Sequence, residues 1–425
     1  MPAPSSAPAR VLSFPDCVAI GVNGIIGSGI YLLLGPMAGK AGAASLVAML
    51  ACAALCFVIA LCFAELSGMY TEDGGAFLYA QEAFGAAPGF VVGWMSFVEG
   101  AVAFAAVAVG FAQALHLPRW MAVLLIALLS ALNLRGVKAG ARALDVLAVL
   151  KVAPLFLLAV LGVGFLKAEV VEHALQQTRD WRGVGSAALL ATFMLSGFEY
   201  TAVPASAAKN PRRAIPRAIL ASLAISVGLY FLLQWLVLSV VPELSTAAHP
   251  IEQAATVVLG RVGGKALELA ATLSMLGFCA GSALVSPHYL VALGRAGFVW
   301  KGFERLSARG VPAMALLVSS SGAGLLALTL DFNQLVDLSV VALFAQYLPS
   351  ALAVPVLRLR KPALERTYRV PVPWLVGGLA ACASTALLVL AHPAWAEWKS
   401  CAEILGGGAL VWGATWAIRR ARSQR

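Results

Sequence analysis

Apolar stretches about 20 residues long recur along the whole sequence, and this feature limits the possible folds more than any other. A helix of that length spans the hydrocarbon core of a bilayer, where every backbone polar group must be satisfied within the protein. Of the 425 residues, 61% are hydrophobic and 12% are charged, against about 25% charged in an average soluble domain. The sequence therefore predicts an all-α polytopic membrane protein embedded in a lipid bilayer.

We predict twelve transmembrane helices, with boundaries that carry an error of a few residues. They cover residues 16–38, 42–69, 86–114, 120–134, 143–166, 184–204, 214–241, 264–294, 312–330, 334–357, 372–391 and 402–418. Residues 1–15 and 419–425 are predicted to be short cytoplasmic tails.

The distribution of lysine and arginine gives the orientation. If the N-terminus is cytoplasmic, 21 of the 30 Lys and Arg residues fall in inner segments and eight in outer segments. Cytoplasmic loops carry such an excess, so both termini are predicted to be cytoplasmic. The net charge of +10 is then explained by topology, and no nucleic-acid partner is expected.

The first and sixth predicted spans contain residues that interrupt helices. Residues 21–31 read GVNGIIGSGIY, and residues 195–211 read LSGFEYTAVPASAAKNP. The two interruptions are five spans apart, so a repeat of five spans would cross the membrane in the opposite orientation. Paired interruptions are typical of inverted-repeat transporters with a binding site near the bilayer midplane. We predict repeats over residues 16–166 and 184–357, followed by two further spans within 372–418.

Unwound backbone within a membrane is tolerated where it lines a cavity or is buried in protein. Around Gly27, Ser28 and Gly29, the helix that restarts would direct free N–H groups at the break, which suits a carboxylate. The break at Ser196, Gly197 and Phe198 would expose carbonyl oxygens, which suit an ammonium group. Two facing breaks therefore predict a site for a zwitterion. The alternative is that the glycines only allow close helix packing, and Gly24 with Gly27 has the spacing of small residues at such contacts.

Several segments together resemble the amino acid–polyamine–organocation (APC) superfamily. NGIIGSGIY is similar to the signature of its first helix, and four other segments follow in the family's order. These are FAELSGMYTEDGGAFLYAQEAFG (63–85), GWMSFVEGA (93–101), GFEYTAVPASAAKNPRRAIPRAI (197–219) and ALGRAGFVWKGFERLSARGVPAMALLVSS (292–320). The resemblance covers nearly the whole chain. It departs at Ser206 and Ala207, where relatives commonly carry an acidic pair.

The resemblance implies a LeuT-like fold, with helices 1 and 6 discontinuous, that transports amino acids by alternating access. It implies that backbone around Ile26, Gly27, Ser28, Gly29 and Ile30 holds the substrate carboxylate. It also implies that carbonyls near Ser196, Gly197 and Phe198 hold the α-amine. Phe198 stands where the family has an aromatic gate over the substrate.

Lys151 is a cation well inside the fifth predicted span, where charges are expensive and usually functional. In some members of the superfamily a lysine at the similar position replaces a sodium ion. By that resemblance Lys151 would reach the first break and hydroxyls of the eighth span, with Ser282 and Ser286 as candidates. We hypothesise that Lys151 takes part in proton coupling, and the alternative is a permanent structural cation.

Two acids are further candidates. Glu99 has apolar neighbours in the third span, so it needs a polar partner at the first break, a proton during the cycle, or neutral hydrogen bonding. Glu199 follows Phe198 at the second break. It is interpreted as stabilising unwound backbone, and the alternative is that it favours cationic substrates.

These features predict a secondary transporter for small or medium-sized neutral amino acids. The runner-up substrates are cationic amino acids or polyamines, because Glu99 and Glu199 offer negative charge for a second cation. The sequence does not separate a symporter from an exchanger, or a transporter from a sensor that binds without transport. A membrane enzyme is disfavoured, since no nucleophile–base arrangement or metal motif is visible. No cofactor or obligate protein partner is expected, the proton gradient is the expected driving force, and the expected location is a bacterial inner membrane.

Overall fold

The computed structural model describes residues 12–134, 137–178, 181–203, 205–307, 309–391 and 395–423. The helices of the first half are α1 (Phe14–Ile25), α2 (Gly29–Leu32), α3 (Leu34–Ala41), α4 (Ser45–Ser67), α5 (Ala76–Phe84), α6 (Ala86–Ala114), α7 (Trp120–Asn133), α8 (Val137–Gly162) and α9 (Ala168–Gln177). Those of the second half are α10 (Trp181–Leu195), α11 (Pro211–Val240), α12 (Pro250–Ala296), α13 (Ala313–Thr329), α14 (Phe332–Arg360), α15 (Pro373–Ala391) and α16 (Trp395–Ser423). The described residues contain no strand beyond one isolated bridge between Leu12 and Ala208. The predicted all-α class is confirmed.

Six helical stretches in the described residues are long and apolar enough to cross a membrane, counting α1 with α2 and α3 with α4 as one stretch each, or seven if one bent pair counts as a single span. Three further apolar helices are shorter: Trp120–Asn133, Ala313–Thr329 and Pro373–Val389. The multi-pass character of the chain follows from these helices. The count of twelve spans stays a prediction.

Some helices lie outside the predicted spans. α5 and α9 fall between them, and Ala174 is the one buried residue of α9 in the described structure. α12 begins at Pro250, fourteen residues before the predicted start at residue 264, and loses helical geometry only at Gly260 (φ 75°, ψ −177°). Proline is favoured at the first position of a helix, which explains where α12 starts.

The core is organised around α6, which packs against α12 and α14. In the apolar 18-residue stretch of α6 that is long enough to span a bilayer, 94% of the residues are buried, so little of this helix faces lipid. Ala101, Ala105 and Ala108 are among its buried residues, and such small side chains let neighbouring membrane helices approach closely. The position of α6 brings its polar residue Glu99 into the centre of the molecule.

A buried ion cluster joins α4 to α14. Glu65, which is 1% exposed, accepts two hydrogen bonds from the Arg358 guanidinium at 2.8 and 2.6 Å. It also accepts the Val370 N–H at 2.7 Å, and Arg366 lies 3.4 Å away. A carboxylate with this many donors is well compensated for its burial. The cluster therefore holds the connection between α14 and α15 against α4.

We expect Glu65→Ala to lower the free energy of unfolding by about 3–5 kcal/mol, because it leaves the Arg358 charge without its partner. Glu365→Ala is the matched control, since Glu365 pairs with Arg212 at 2.7 Å but its side chain is 71% exposed. The control should cost about 0–1 kcal/mol. Unfolding of the purified proteins in detergent measures both, and equal losses would contradict a special role for the buried cluster.

Candidate functional site

The predicted interruption of the first span is present. α1 ends at Ile25, Ile26 has extended geometry (φ −82°, ψ 92°), and α2 begins at Gly29. The Ile26 and Gly27 amides still donate to carbonyls of α1, at 2.9 and 3.1 Å. Within the described part of the chain, the N–H groups of Ser28, Gly29 and Ile30 have no backbone acceptor. The restarting helix therefore presents unpaired donors at the break.

The predicted interruption after residue 195 is also present. α10 ends at Leu195, Gly197 has positive φ (109°), and a short 3₁₀ helix covers Phe198–Ala202. Ser196 N–H still donates to Thr192 at 2.9 Å. No donor for the carbonyl oxygens of Met194, Leu195 and Ser196 is found among the described residues. This break presents unpaired acceptors.

The two breaks touch through glycine. A Cβ atom on Gly24 would lie 2.6 Å from the Gly197 carbonyl oxygen, so only hydrogen atoms fit between the two backbones. The close-packing interpretation of Gly24 is therefore correct alongside the interruption. Gly27 has another neighbour: a Cβ there would lie 3.0 Å from the Phe278 ring.

Lys151 stabilises the first break. Its ammonium group is fully buried, and it donates to the carbonyl oxygens of Asn23, at 3.0 Å, and of Ile26. Burial of a cation in an apolar interior is costly unless such acceptors surround it. Lys151 therefore reaches the first break, as the family resemblance implied.

Two hydroxyl groups satisfy other carbonyls of this break. Tyr230 donates to Ile25 at 3.1 Å, and Ser274 donates to Gly27 at 3.1 Å. Ser282 and Ser286 were the predicted hydroxyl partners of Lys151, but the hydrogen bonds of Lys151 within the described residues go to backbone carbonyls, and the α12 hydroxyl at this break is that of Ser274. Ser274 lies eight residues before Ser282, about 12 Å along a helix, and the depth of the break was not readable from sequence.

The two predicted acids have separate partners. Glu99, 1% exposed, accepts the Tyr200 hydroxyl at 3.0 and 3.3 Å and the Ser339 hydroxyl at 3.3 Å. Its hydrogen bonds within the described residues thus go to the second break and α14, rather than to the first break. Glu199 accepts the Gly197 N–H and the Tyr347 hydroxyl, both at 3.0 Å. These contacts agree with a role for Glu199 in stabilising unwound backbone.

A small cavity lies between the breaks. It is lined by Gly24, Ile25, Gly27, Ser28, Gly29, Glu99, Ala103, Val107, Phe193, Ser196, Gly197, Tyr200 and Phe278. The volume in which the centre of a water molecule can lie is ≈ 10 Å³, so the cavity holds about one water molecule. The Ser28 hydroxyl is buried and has no hydrogen-bond partner within the described residues. A larger ligand requires the walls to move apart.

Several predicted site residues lie behind the cavity wall. Ile26, Ile30, Phe198 and Glu199 are buried but are not part of the lining. The Phe198 ring stacks on Tyr347, with centroids 5.6 Å apart and planes at 21°. The aromatic residues that line the cavity are Phe193, Tyr200 and Phe278.

The sequence reasoning missed five aromatic or hydroxyl residues of the site: Phe193, Tyr200, Tyr230, Ser274 and Phe278. Tyr200 lies inside the second glycine-rich segment, so its place beside the break was a usable signal. The other four sit in ordinary apolar helix, where no pattern distinguishes a hydroxyl or ring that faces the breaks. No group of three metal-ligating side chains is found among the described residues.

Comparison with known proteins finds one matching family and relatives that are named as transporters or permeases. A family model described as amino acid permease matches residues 12–394. The chain is 27% identical over 400 residues to the branched-chain amino acid permease BcaP of Lactococcus lactis subsp. cremoris, covering 85% of each protein. It is 23% identical over 394 residues to the methylthioribose transporter of Bacillus subtilis, covering 86% of this chain and 85% of that protein. It is 27% identical over 386 residues to cationic amino acid transporter 4 of Mus musculus, covering 83% of this chain and 60% of that protein.

Proposed function

The chain belongs to the amino acid permease family of the APC superfamily, and from this membership we propose that it is a secondary transporter for small or medium-sized neutral amino acids. Its family and relatives are transporters and not enzymes. We place it in a bacterial cell membrane, with both termini cytoplasmic and no obligate protein partner.

The observation that carries this proposal is the cavity between the two breaks. Unpaired N–H groups of Ser28, Gly29 and Ile30 belong to one side, and unpaired carbonyls near Ser196 belong to the other. Such groups complement a carboxylate and an ammonium group. An α-amino acid carries both, a few bonds apart. Apolar Val107, Phe193 and Phe278 leave room for a neutral side chain only after the walls separate.

The architecture that we propose is a LeuT-like fold with twelve spans, in which two inverted repeats of five spans each contribute one broken helix. The positions of the breaks in the first and sixth predicted spans support this arrangement. Transport would proceed by alternating access around the breaks, with Gly27 and Gly197 allowing the backbone to move.

Proton coupling is part of the proposal, with Lys151 and Glu99 as the groups that exchange protons. Both are buried ionisable residues inside membrane helices, which usually mark ion or substrate pathways. Lys151 contacts the first break and Glu99 contacts the second, so a change of charge at either would alter hydrogen bonds at a break. Exchange without protons is the alternative.

A second candidate function is transport of cationic amino acids or polyamines. The observation that favours it is the position of Glu99 in the cavity lining. The names of the relatives include both a branched-chain amino acid permease and a cationic amino acid transporter.

Binding to purified protein tests the proposal. We expect L-alanine or L-leucine to raise the unfolding temperature and to be taken up by proteoliposomes, with L-arginine and putrescine having little effect. Counterflow with and without a proton gradient separates symport from exchange. Stabilisation by arginine alone would favour the second candidate, and binding without uptake would indicate a sensor.

A further inference from the structure

Tyr200 lies between the first break and Glu99. Its ring packs over Gly24, where a Cβ atom would lie 3.1 Å from Cδ2 of the ring. Its hydroxyl donates to both carboxylate oxygens of Glu99, at 3.0 and 3.3 Å. Both residues line the cavity. Tyr200 and Glu99 therefore line the cavity side by side, and the Tyr200 hydroxyl holds the carboxylate that a molecule in the cavity would meet.

Glu99 is the only acidic residue in the lining of this cavity, as far as the structure describes the chain. Its oxygens accept from Tyr200 and Ser339, so the carboxyl group is already hydrogen-bonded within the protein. Hydrogen bonds to charged groups are stronger than those between neutral groups. A cationic side chain would have to displace the Tyr200 hydroxyl to reach the carboxylate.

Glu199 is a second buried acid near the breaks. Gly197 N–H and the Tyr347 hydroxyl both donate to its Oε2, while its Oε1 has no hydrogen-bond partner within the described residues. Neither Glu199 nor Phe198, whose ring stacks on Tyr347, is part of the cavity lining. Of the two acids, Glu99 is therefore the one that a substrate in this cavity would meet first.

We propose that Tyr200 is a specificity-determining residue that shields Glu99 and so restricts the site to neutral amino acids. This inference rests on the proposed function. If the hydroxyl is removed, Glu99 keeps only the Ser339 bond and gains an unsatisfied oxygen. The ammonium or guanidinium group of a basic side chain then supplies the missing donor.

The test measures L-arginine against L-alanine in Tyr200→Phe. We expect the affinity for arginine relative to alanine to rise by about 10- to 100-fold, the range that one hydrogen bond to a charged group provides. Competition for uptake and ligand-dependent thermal stabilisation both report this ratio. Stabilisation requires no transport, and Tyr200→Leu serves as a second variant without the hydroxyl.

Two further variants separate shielding from general loosening of the site. Glu99→Gln in the Tyr200→Phe background should cancel the gain, because no charge remains to be uncovered. Ser339→Ala removes the other donor without opening the cavity, since Ser339 is not in its lining, and should give a smaller change.

An unchanged ratio in both Tyr200 variants, with alanine binding retained, overturns the role of Tyr200 and leaves the proposed function intact. A gain that persists after Glu99→Gln overturns it as well. A wild-type protein that binds neither amino acid contradicts the proposed function instead.

Discussion

Gly197→Ala should reduce amino acid uptake by a factor on the order of 100 or more. Gly197 has φ 109°, a conformation that costs other residues about 1–2 kcal/mol. An added Cβ would also overlap the backbone of Gly24, and only separation of the two broken helices relieves that overlap. Because these helices line the cavity, their separation disrupts the proposed site.

Gly228→Ala is the matched control for this experiment. Gly228 lies inside α11, and a Cβ there meets no atom within 4 Å. Alanine is favoured over glycine in a helix by about 1 kcal/mol, so this variant should retain uptake and stability. Uptake per milligram of reconstituted protein measures both variants. Retained uptake in Gly197→Ala would mean that the contact between the breaks is not needed for transport.

Lys151→Ala should reduce uptake by about 100-fold and lower the unfolding temperature. The substitution removes the Lys151 donor from the buried carbonyls of Asn23 and Ile26, and leaves the Ile26 carbonyl with only the Ser274 hydroxyl, at 3.3 Å. Each buried unsatisfied polar group costs about 1–3 kcal/mol. The break should then shift to a geometry that no longer matches the second break.

Lys167→Ala is the control, because Lys167 follows the same helical region but its side chain is exposed. It should keep wild-type uptake. The pH dependence of the residual uptake by Lys151→Ala tests the proton hypothesis separately. A flat profile is expected if Lys151 carries the proton, and a profile that matches the wild type would eliminate that role.

The sequence predicted features that depend on local composition. The bounds of α6, Ala86–Ala114, coincide with the predicted span at residues 86–114, because its long apolar run is bounded by polar residues and glycine. Both interruptions were located from glycine and serine within apolar runs. Such residues weaken helices wherever they occur, so their effect is visible without a structure.

Contacts between distant segments were harder to predict. The role of Phe198 over the substrate stays a prediction; its ring lies on Tyr347, and Phe193, Tyr200 and Phe278 line the cavity. Ser274, and not the predicted serines, is the α12 hydroxyl found at the first break. The rotation and depth of each helix decide which of several similar residues faces the breaks.

By itself, then, the sequence determined that this chain is a membrane protein with two helix interruptions, because run length and glycine content act locally. Only the tertiary structure decided that Tyr200 covers Glu99, 101 positions away in the chain, and that Lys151 and Tyr230 hold carbonyls of the first break. These pairings depend on how the helices pack, and no periodic pattern along one helix records which side chain meets a partner on another.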